Sequence, residues 1–297
     1  MLNLLMKIFY LFKMKILVTG GCGFIGNYVV QELIKKNHDL LIIGTDIKKA
    51  KEFIWFNQVS FEEVDINNPS TDFIDSCKDF NKVIHLAWQK LPNYGQLFHM
   101  EENLPNQFFF LKKLMLKGIK DFTVIGTCFE YGLQNGCLSE DMPCYPNNYY
   151  ALAKDTLRRL LELYCKEKNV NFKWLRPFYT FGEGQNPNSL FSQLEKAIDN
   201  KDPIFNMSGG DQLRDYLPVE KVAEYIIKVA LQDRITGVIN ICSGAPVKLS
   251  SFVRDYIKQR NQKIELNLGY YPYSVHEPIE FWGDNLKLKQ ICHDSNL

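Results

Sequence analysis

No two of the eight cysteines, at 22, 77, 128, 137, 144, 165, 242 and 292, stand in a CxxC spacing. That excludes the common thiol metal frameworks and redox pairs. Several of these thiols fall inside predicted core segments, where free Cys packs as a small hydrophobe. The expectation is reduced thiols, no metal site and a cytoplasmic location. Charge of one sign is lacking as well, with 35 Lys and Arg against 34 Asp and Glu. No global field then recruits nucleic acid or an anionic membrane, so an anionic ligand must be held locally. Internal repeats and low-complexity segments are absent. Hydrophobic residues make up 46%, enough for a full core, which excludes a disordered chain. Residues 1–13, MLNLLMKIFYLFK, are apolar but too short to span a bilayer, and no small-residue cleavage site follows. They read as an extension ahead of a sequence that restarts at Met14, the alternative being an interfacial anchor.

What the sequence does contain is alternation. Short apolar runs at 15–19, 40–43, 59–64, 83–87, 122–125 and 172–175 are separated by stretches able to form helices, the first at 24–36. Such a pattern predicts a parallel sheet covered on both faces, and right-handed crossovers make it a doubly wound α/β fold. After Arg176-Pro177 the loops lengthen (GEGQNPNS, NMSGGDQ, GYYPYS) between helices near 190–199, 219–231 and 249–260. The expected division is a dinucleotide-binding domain over 14–177 and a smaller substrate lobe over 178–297. A strand near 237–242 (GVINIC) is placed to return to the sheet.

The first strand runs into Thr19-Gly-Gly-Cys-Gly-Phe-Ile-Gly26. Gly20 permits a tight turn, Gly23 lets backbone approach a pyrophosphate, and Gly26 allows close helix-sheet packing. Phe24 and Ile25 open the helix whose free N–H groups receive the phosphates. This strand-turn-helix context predicts a Rossmann-type dinucleotide site. Sites for NAD usually close the second strand with an acid that binds the ribose hydroxyls. Here the strand ends at Ile43 and its tip is Gly44-Thr45, with Asp46 beyond. The glycine leaves room for a 2′-phosphate that Thr45, Lys48 and Lys49 would bind. NADP(H) is therefore favoured, and NAD(H) is the alternative should Asp46 turn back to the ribose.

Tyr150-Ala-Leu-Ala-Lys154 places a tyrosine and a lysine on one helical face. The lysine charge can bring the phenol toward a usable proton donor. Tyr149 has Ala153 at i+4 and cannot do the same. Upstream, Thr127 ends a strand where its hydroxyl either bonds a substrate oxygen or caps the chain.

Taken together, VTGGCGFIG, VDI, HLAW, GTCFEYG, YYALAK, LRPFYTFGEGQ, GGDQLRDYLPVEKVA and INICSG resemble the extended short-chain dehydrogenase family acting on nucleoside-diphosphate sugars. The likeness runs in order from Lys15 to about Gly244. It implies that Thr127, Tyr150 and Lys154 form the catalytic triad. It implies further that Asp65 and Ile66 lie against the adenine, and that the segment His85-Leu86-Ala87 passes the cofactor phosphates and ribose. Arg176-Pro177-Phe178 would flank the nicotinamide and substrate, and Arg214 would hold the sugar-nucleotide diphosphate, with Asp215 ordering that loop. Trp88, Thr127, Cys128 and Phe129 join Arg214 as expected substrate contacts, with Glu130 and Tyr131 as further candidates. Read from the residues alone, His85 and Asn103 are packed or backbone-bonding side chains. The tail YYPYSVHEPIEFWGD resembles segments that close over the ligand in 4-keto-sugar reductases.

Departures from the family pattern narrow the reaction. Sugar 4,6-dehydratases carry Asp-Glu directly after the catalytic Thr, whereas this chain has Cys128-Phe129. Epimerase-reductases of the GDP-fucose-forming kind use a Cys and a His that are out of register or missing. The resemblance therefore implies NADPH-dependent reduction at C4 of a nucleoside-diphosphate 4-keto-6-deoxyhexose. A 4-epimerase with bound NAD is the first alternative, and a non-catalytic dinucleotide sensor the second. It also implies a homodimer through helices around 101–117 and 149–168, the latter carrying Leu157, Leu160, Leu161 and Tyr164 beyond the needs of one sheet face.

Overall fold

The computed structural model of the protein describes residues 13–275 and 277–294, so the reading of residues 1–13 as extension or anchor lies, but for Lys13, outside the described residues. Seven parallel strands form one sheet: β1 Lys15–Thr19, β2 Asp39–Gly44, β3 Ser60–Glu63, β4 Lys82–His85, β5 Asp121–Ile125, β6 Asn171–Pro177 and β7 Gly237–Ile241. Their spatial order is β7-β6-β5-β4-β1-β2-β3. Connections run one way from β1 to β3 and the other way from β4 onward. This leaves a switch point between β1 and β4, where doubly wound folds bind ligands at the carboxyl ends of the strands.

Two-residue periodicity explains the layers. Along β1, Ile16 and Val18 face one side and Leu17 the other. The first side is covered by α1 (Phe24–Ile34), through Val29, Val30 and Leu33. The second is covered by α2 (Leu104–Leu116) and α3 (Tyr149–Lys168), through Phe110, Leu111, Leu157 and Leu161. Leu157 and Leu161 are thus spent on the sheet. The outward apolar residues of α3 are instead Tyr149, Leu152, Leu160 and Leu163, and α2 exposes Phe109 and Leu116.

The chain beyond Pro177 contributes to the sheet as well. β7 pairs with β6 from Gly237↔Lys173 to Ile241↔Pro177, and α4 (Val219–Ala230) joins the layer of α1 through Val222, Ala223 and Ile226. The rest of the C-terminal part has its own small core. Leu194, Ala197 and Ile198 of the helix Leu190–Asn200 meet Val253 and Ile257 of the helix Leu249–Gln259 around Phe205 and Met207. At the amino ends of the strands, Lys82 and Lys173 are buried against Asp121 at 2.7 and 3.0 Å, with Asp233 closing the group 2.7 Å from Lys82. These charges lie at the opposite edge of the sheet from the glycine turn.

Candidate active site

The switch point is built by two strand exits in contact. Gly20 has φ 75°, and a Cβ on it would stand 2.6 Å from the backbone nitrogen of Ala87, where the chain leaves β4. A Cβ on Gly26 would overlap the carbonyl oxygen of Gly20, so the helix can start this close to the turn only without a side chain. Gly23 caps α1 with no side-chain hydrogen bond, leaving its first N–H groups facing the turn. Phe24 and Ile25 are half-buried at its start, and Leu86 and Ala87 line the facing exit. Thr19 Oγ1 accepts from Ala87 N–H at 3.2 Å and meets His85 Nδ1 at 2.8 Å. The other ring nitrogen of His85 bonds Gln107, and burial pulls His85 down to about 3. His85 is a neutral packing side chain.

At the tip of β2, Asp46 caps the short helix Ile47–Ala50, its Oδ1 accepting from Lys48 N–H at 2.9 Å and Lys49 N–H at 3.0 Å. Thr45, Lys48 and Lys49 are exposed around it. Glu63, which sequence reasoning gave no role, lies opposite Gly44 in the register and accepts from Ile47 N–H at 3.1 Å. Its only sequence signal is an acid closing the third strand. Asp65 is exposed and folds onto Asn67 N–H at 2.9 Å, while Ile66 is buried in the layer of α2.

Thr127, Tyr150 and Lys154 come together beyond the ends of β4 and β5. Thr127 caps the turn Cys128–Tyr131, its Oγ1 accepting from Phe129 N–H at 3.3 Å. The same hydroxyl lies close enough to the Tyr150 phenol to oppose the effect of burial on it, so Thr127 both caps the chain and faces the phenol. The capping side chain of Asn148, 2.9 Å from Ala151 N–H, starts α3 so that Tyr150 points inward and Tyr149 outward. Burial raises the Tyr150 pKa, as do the Tyr94 hydroxyl and Glu130, and the Thr127 hydroxyl opposes them. Its ring is boxed by Trp88, Tyr94 and His99. Lys154 Nζ donates to the Ile125 carbonyl at 2.7 Å and lies 4.0 Å from the Trp88 ring centroid. Burial brings Lys154 down to about 7 against the opposing pull of Glu130. Trp88 donates through Nε1 to His99 Nδ1 at 3.1 Å, and Asn103 bonds the Gln89 carbonyl, a backbone-bonding role.

Next to the triad a cavity of about 730 Å³ is lined by Tyr94, Phe129, Pro146, Tyr149, Leu152 and Glu277, among others. Cys128 is buried below Phe129, and burial pushes its thiol well up. Glu130 and Tyr131, offered as substrate contacts, are enclosed instead: the turn that exposes Phe129 directs both into the core, where Tyr131 bonds Asn240 at 2.8 Å. Arg176 is buried against Glu130, and Phe178 packs with Tyr131 and Phe281, leaving Pro177 half-buried between them. The Arg214 guanidinium is held by the Ile279 and Pro278 carbonyls at 2.9 and 2.7 Å and by Glu277 at 3.2 Å. The tail therefore packs on Arg214 at one end of the cavity. Asp215 accepts from the N–H groups of Ser243 and Gly244, tying its loop to the exit of β7.

Residues 16–242 match the NAD dependent epimerase/dehydratase family. The chain is 29% identical over 275 residues to dTDP-6-deoxy-L-talose 4-dehydrogenase (NAD(+)) of Aggregatibacter actinomycetemcomitans, covering 91% of this chain and 99% of the relative. It is 29% identical over 246 residues to GDP-6-deoxy-D-talose 4-dehydrogenase of the same organism, covering 78% and 75%. Among solved structures, UDP-glucuronic acid 4-epimerase from Bacillus cereus, in complex with UDP-glucuronic acid and NAD, superposes with a TM-score of 0.79 at 25% identity over 94% of this chain and 93% of that one. With the glycine turn, the switch point and the tyrosine-lysine pair in place, the chain belongs to the NAD-dependent epimerase/dehydratase family and is an NAD(P)-dependent enzyme of nucleotide-sugar chemistry.

Proposed function

We propose that this protein reduces the C4 ketone of a nucleoside-diphosphate 4-keto-6-deoxyhexose, the reverse of the direction in which its talose-dehydrogenase relatives are named. The observation that carries this reading is the buried Tyr150 facing Thr127, with Cys128 and Phe129 following Thr127 where elimination would need acids. A reduction needs one hydride and one proton, and Tyr150 is placed to supply that proton. The open start of α1 and the Gly20–Ala87 contact fit the pyrophosphate of a dinucleotide, whose nicotinamide would supply the hydride. Tyr150 then gives its proton to the developing alkoxide, Thr127 holds the ketone oxygen, and the Lys154 ammonium binds ribose hydroxyls and favours the phenolate left behind. Phe24, Ile25, Leu86, Ala87 and Pro177 would line the cofactor, and Asp65 and Ile66 its adenine end. Trp88, Cys128 and Phe129 would wall the sugar. Arg214 would exchange Glu277 for diphosphate oxygens, as suits a planar guanidinium.

NADP(H) is the proposed cofactor, because Asp46 is committed to capping a helix while Thr45, Lys48 and Lys49 stand free at the tip of β2. The small core formed by the helices Leu190–Asn200 and Leu249–Gln259 would serve as the nucleotide-sugar lobe. We also propose a cytoplasmic homodimer joined through α2 and α3. In support of the interface, Leu160 and Leu163 are exposed on α3; among the described residues no helix is long and apolar enough to cross a membrane. The second reading is a 4-epimerase that retains NAD, favoured by the likeness to the glucuronic acid 4-epimerase. The sensor reading has no support now that the tyrosine and lysine are seen together in an enzyme family. The test supplies nucleotide 4-keto-6-deoxyhexoses with NADPH or NADH, and separately stable nucleotide hexoses with no reductant. Stoichiometric NADPH oxidation is expected. Interconversion of stable hexoses on retained cofactor would replace the reductase by the epimerase, and a higher kcat/KM with NADH would return Asp46 to the ribose.

A further inference from the structure

Glu130 has no exposed surface, yet its carboxylate is surrounded by donors from the elements that carry the triad. Oε1 accepts from Thr127 N–H at 2.9 Å and Oε2 from Arg176 Nε at 2.7 Å, and the Trp174 indole N–H bonds both oxygens. A buried carboxylate is costly unless every lone pair is used in this way. The centroid of the indole it holds lies 5.9 Å from Lys154 Nζ, whose nearer aromatic neighbour is Trp88 at 4.0 Å. We infer that Glu130 is a positioning residue, clamping the backbone of Thr127 and setting the negative charge that faces Lys154. The inference rests on the proposed roles of Thr127 and Lys154.

Other charged or titratable groups crowd this centre. Around Glu130 are Arg176 from β6, Arg158 at 3.9 Å and Asp155 from α3, Tyr131 beside it in the turn, and the Cys144 thiol from the loop before α3. Around Lys154 are Tyr150, His85 from β4 and His99 from the segment before α2. Of the charges, only Glu130 opposes the effect of burial on Lys154. The ammonium exists below the Lys154 pKa, so removing the Glu130 charge lowers that pKa and the alkaline limb of activity moves to lower pH.

Two substitutions separate clamp from charge in the full chain. Glu130→Gln keeps an oxygen for Thr127 N–H but loses the charge. The alkaline limb of kcat/KM for NADPH should fall by about one pH unit, a loss of about tenfold above both limbs. Glu130→Asp keeps the charge but is one methylene short, so the limb should stay while kcat drops about tenfold at unchanged KM for NADPH. Thermal melts establish that each variant is folded. If Glu130→Gln does not fold, combining it with Arg176→Gln leaves no charge buried alone, and a smaller limb shift in the same direction is expected, because the Arg176 cation is lost with the anion. A wild-type limb in the charge-removing variant, or wild-type kcat in Glu130→Asp, overturns the inference. Absence of turnover by the wild-type protein itself would instead overturn the proposed reaction.

Discussion

Replacing Tyr150 by Phe removes one oxygen from a ring whose packing is otherwise complete. Trp88, Tyr94 and His99 surround it with centroids at 5.9, 5.3 and 5.4 Å, and its backbone N–H stays bonded to the Tyr94 carbonyl at 3.0 Å. Only the hydroxyl's approach to Thr127 is lost, worth no more than the about 0.5–1.5 kcal/mol of a full hydrogen bond. For a chain of this size that moves Tm by no more than about 5 °C. The kinetic effect depends on whether a neighbour can supply the proton instead. Cys128 is the nearest thiol, but burial holds its proton firmly. His99 accepts at Nδ1 from Trp88, its other nitrogen faces the Asn93 carbonyl, and its pKa is lowered by burial. His85 is engaged on both nitrogens. With these three neighbours unable to substitute, the loss belongs in the upper part of the range for general acid catalysis, about 10³-fold or more, or roughly 4 kcal/mol of barrier. The assay is kcat with NADPH and a nucleotide 4-keto-6-deoxyhexose, with cofactor Kd by fluorescence and a thermal melt on the same sample. Cofactor affinity should be nearly unchanged. Residual kcat within about tenfold of wild type would refute the assignment of Tyr150 as the acid.

Gly26→Ala should weaken cofactor binding by at least about tenfold, because the new Cβ meets only backbone at Gly20 and Gly21 and the phosphate turn must open to admit it; titration with NADPH checks this. Asp121→Asn should lower stability by about 2–4 kcal/mol, read as a fall in urea midpoint, since Lys82 and Lys173 stay buried with only the exposed Asp233 to pair them. The KM for cofactor should not change in that variant, because the cluster lies at the far edge of the sheet. Leu163→Glu should convert a dimer to a monomer by light scattering at micromolar protein, Leu163 being 72% exposed beside Leu160 on the outer face of α3. A monomeric wild type would remove the proposed interface.

Much of the sheet was legible because its signals are local. Apolar runs of strand length separated by helix-length stretches place β1 to β7 within about two residues, and the glycine turn identifies the dinucleotide end. Strand limits drift where tertiary contacts decide them. β4 stops at His85 and not at Ala87 because Ala87 N–H is taken by Thr19 Oγ1. Helix faces were read less well. Leu157 and Leu161 look surplus to one sheet face by count, yet both are needed against Phe110 and Trp174 in the layer of α2 and α3.

The site divides in the same way. Tyr150 and Lys154 are one helical turn apart, so their common face follows from spacing, and the loop carrying Thr127 needs only a strand end nearby. Glu130 and Arg214 depend on partners 46 and 63 residues distant, Arg176 and Glu277, which no spacing rule connects. In sequence both look like exposed charges at loop positions, which invites assignment as substrate contacts. In the fold, Glu130 is drawn inward because the capping turn at Thr127 presents Phe129 to the cavity and sends the next residue toward Trp174. Arg214 is drawn toward the tail because Tyr179 and Phe281 offer ring faces on which a guanidinium can rest, at 5.5 and 4.9 Å. A nucleotide diphosphate competing for that guanidinium has to displace one carboxylate, Glu277, while the aromatic faces and the carbonyl contacts can remain. The exchange is therefore of one anion for another at a preformed cation. That allows Arg214 to be nearly buried in the structure and still serve as the proposed diphosphate ligand.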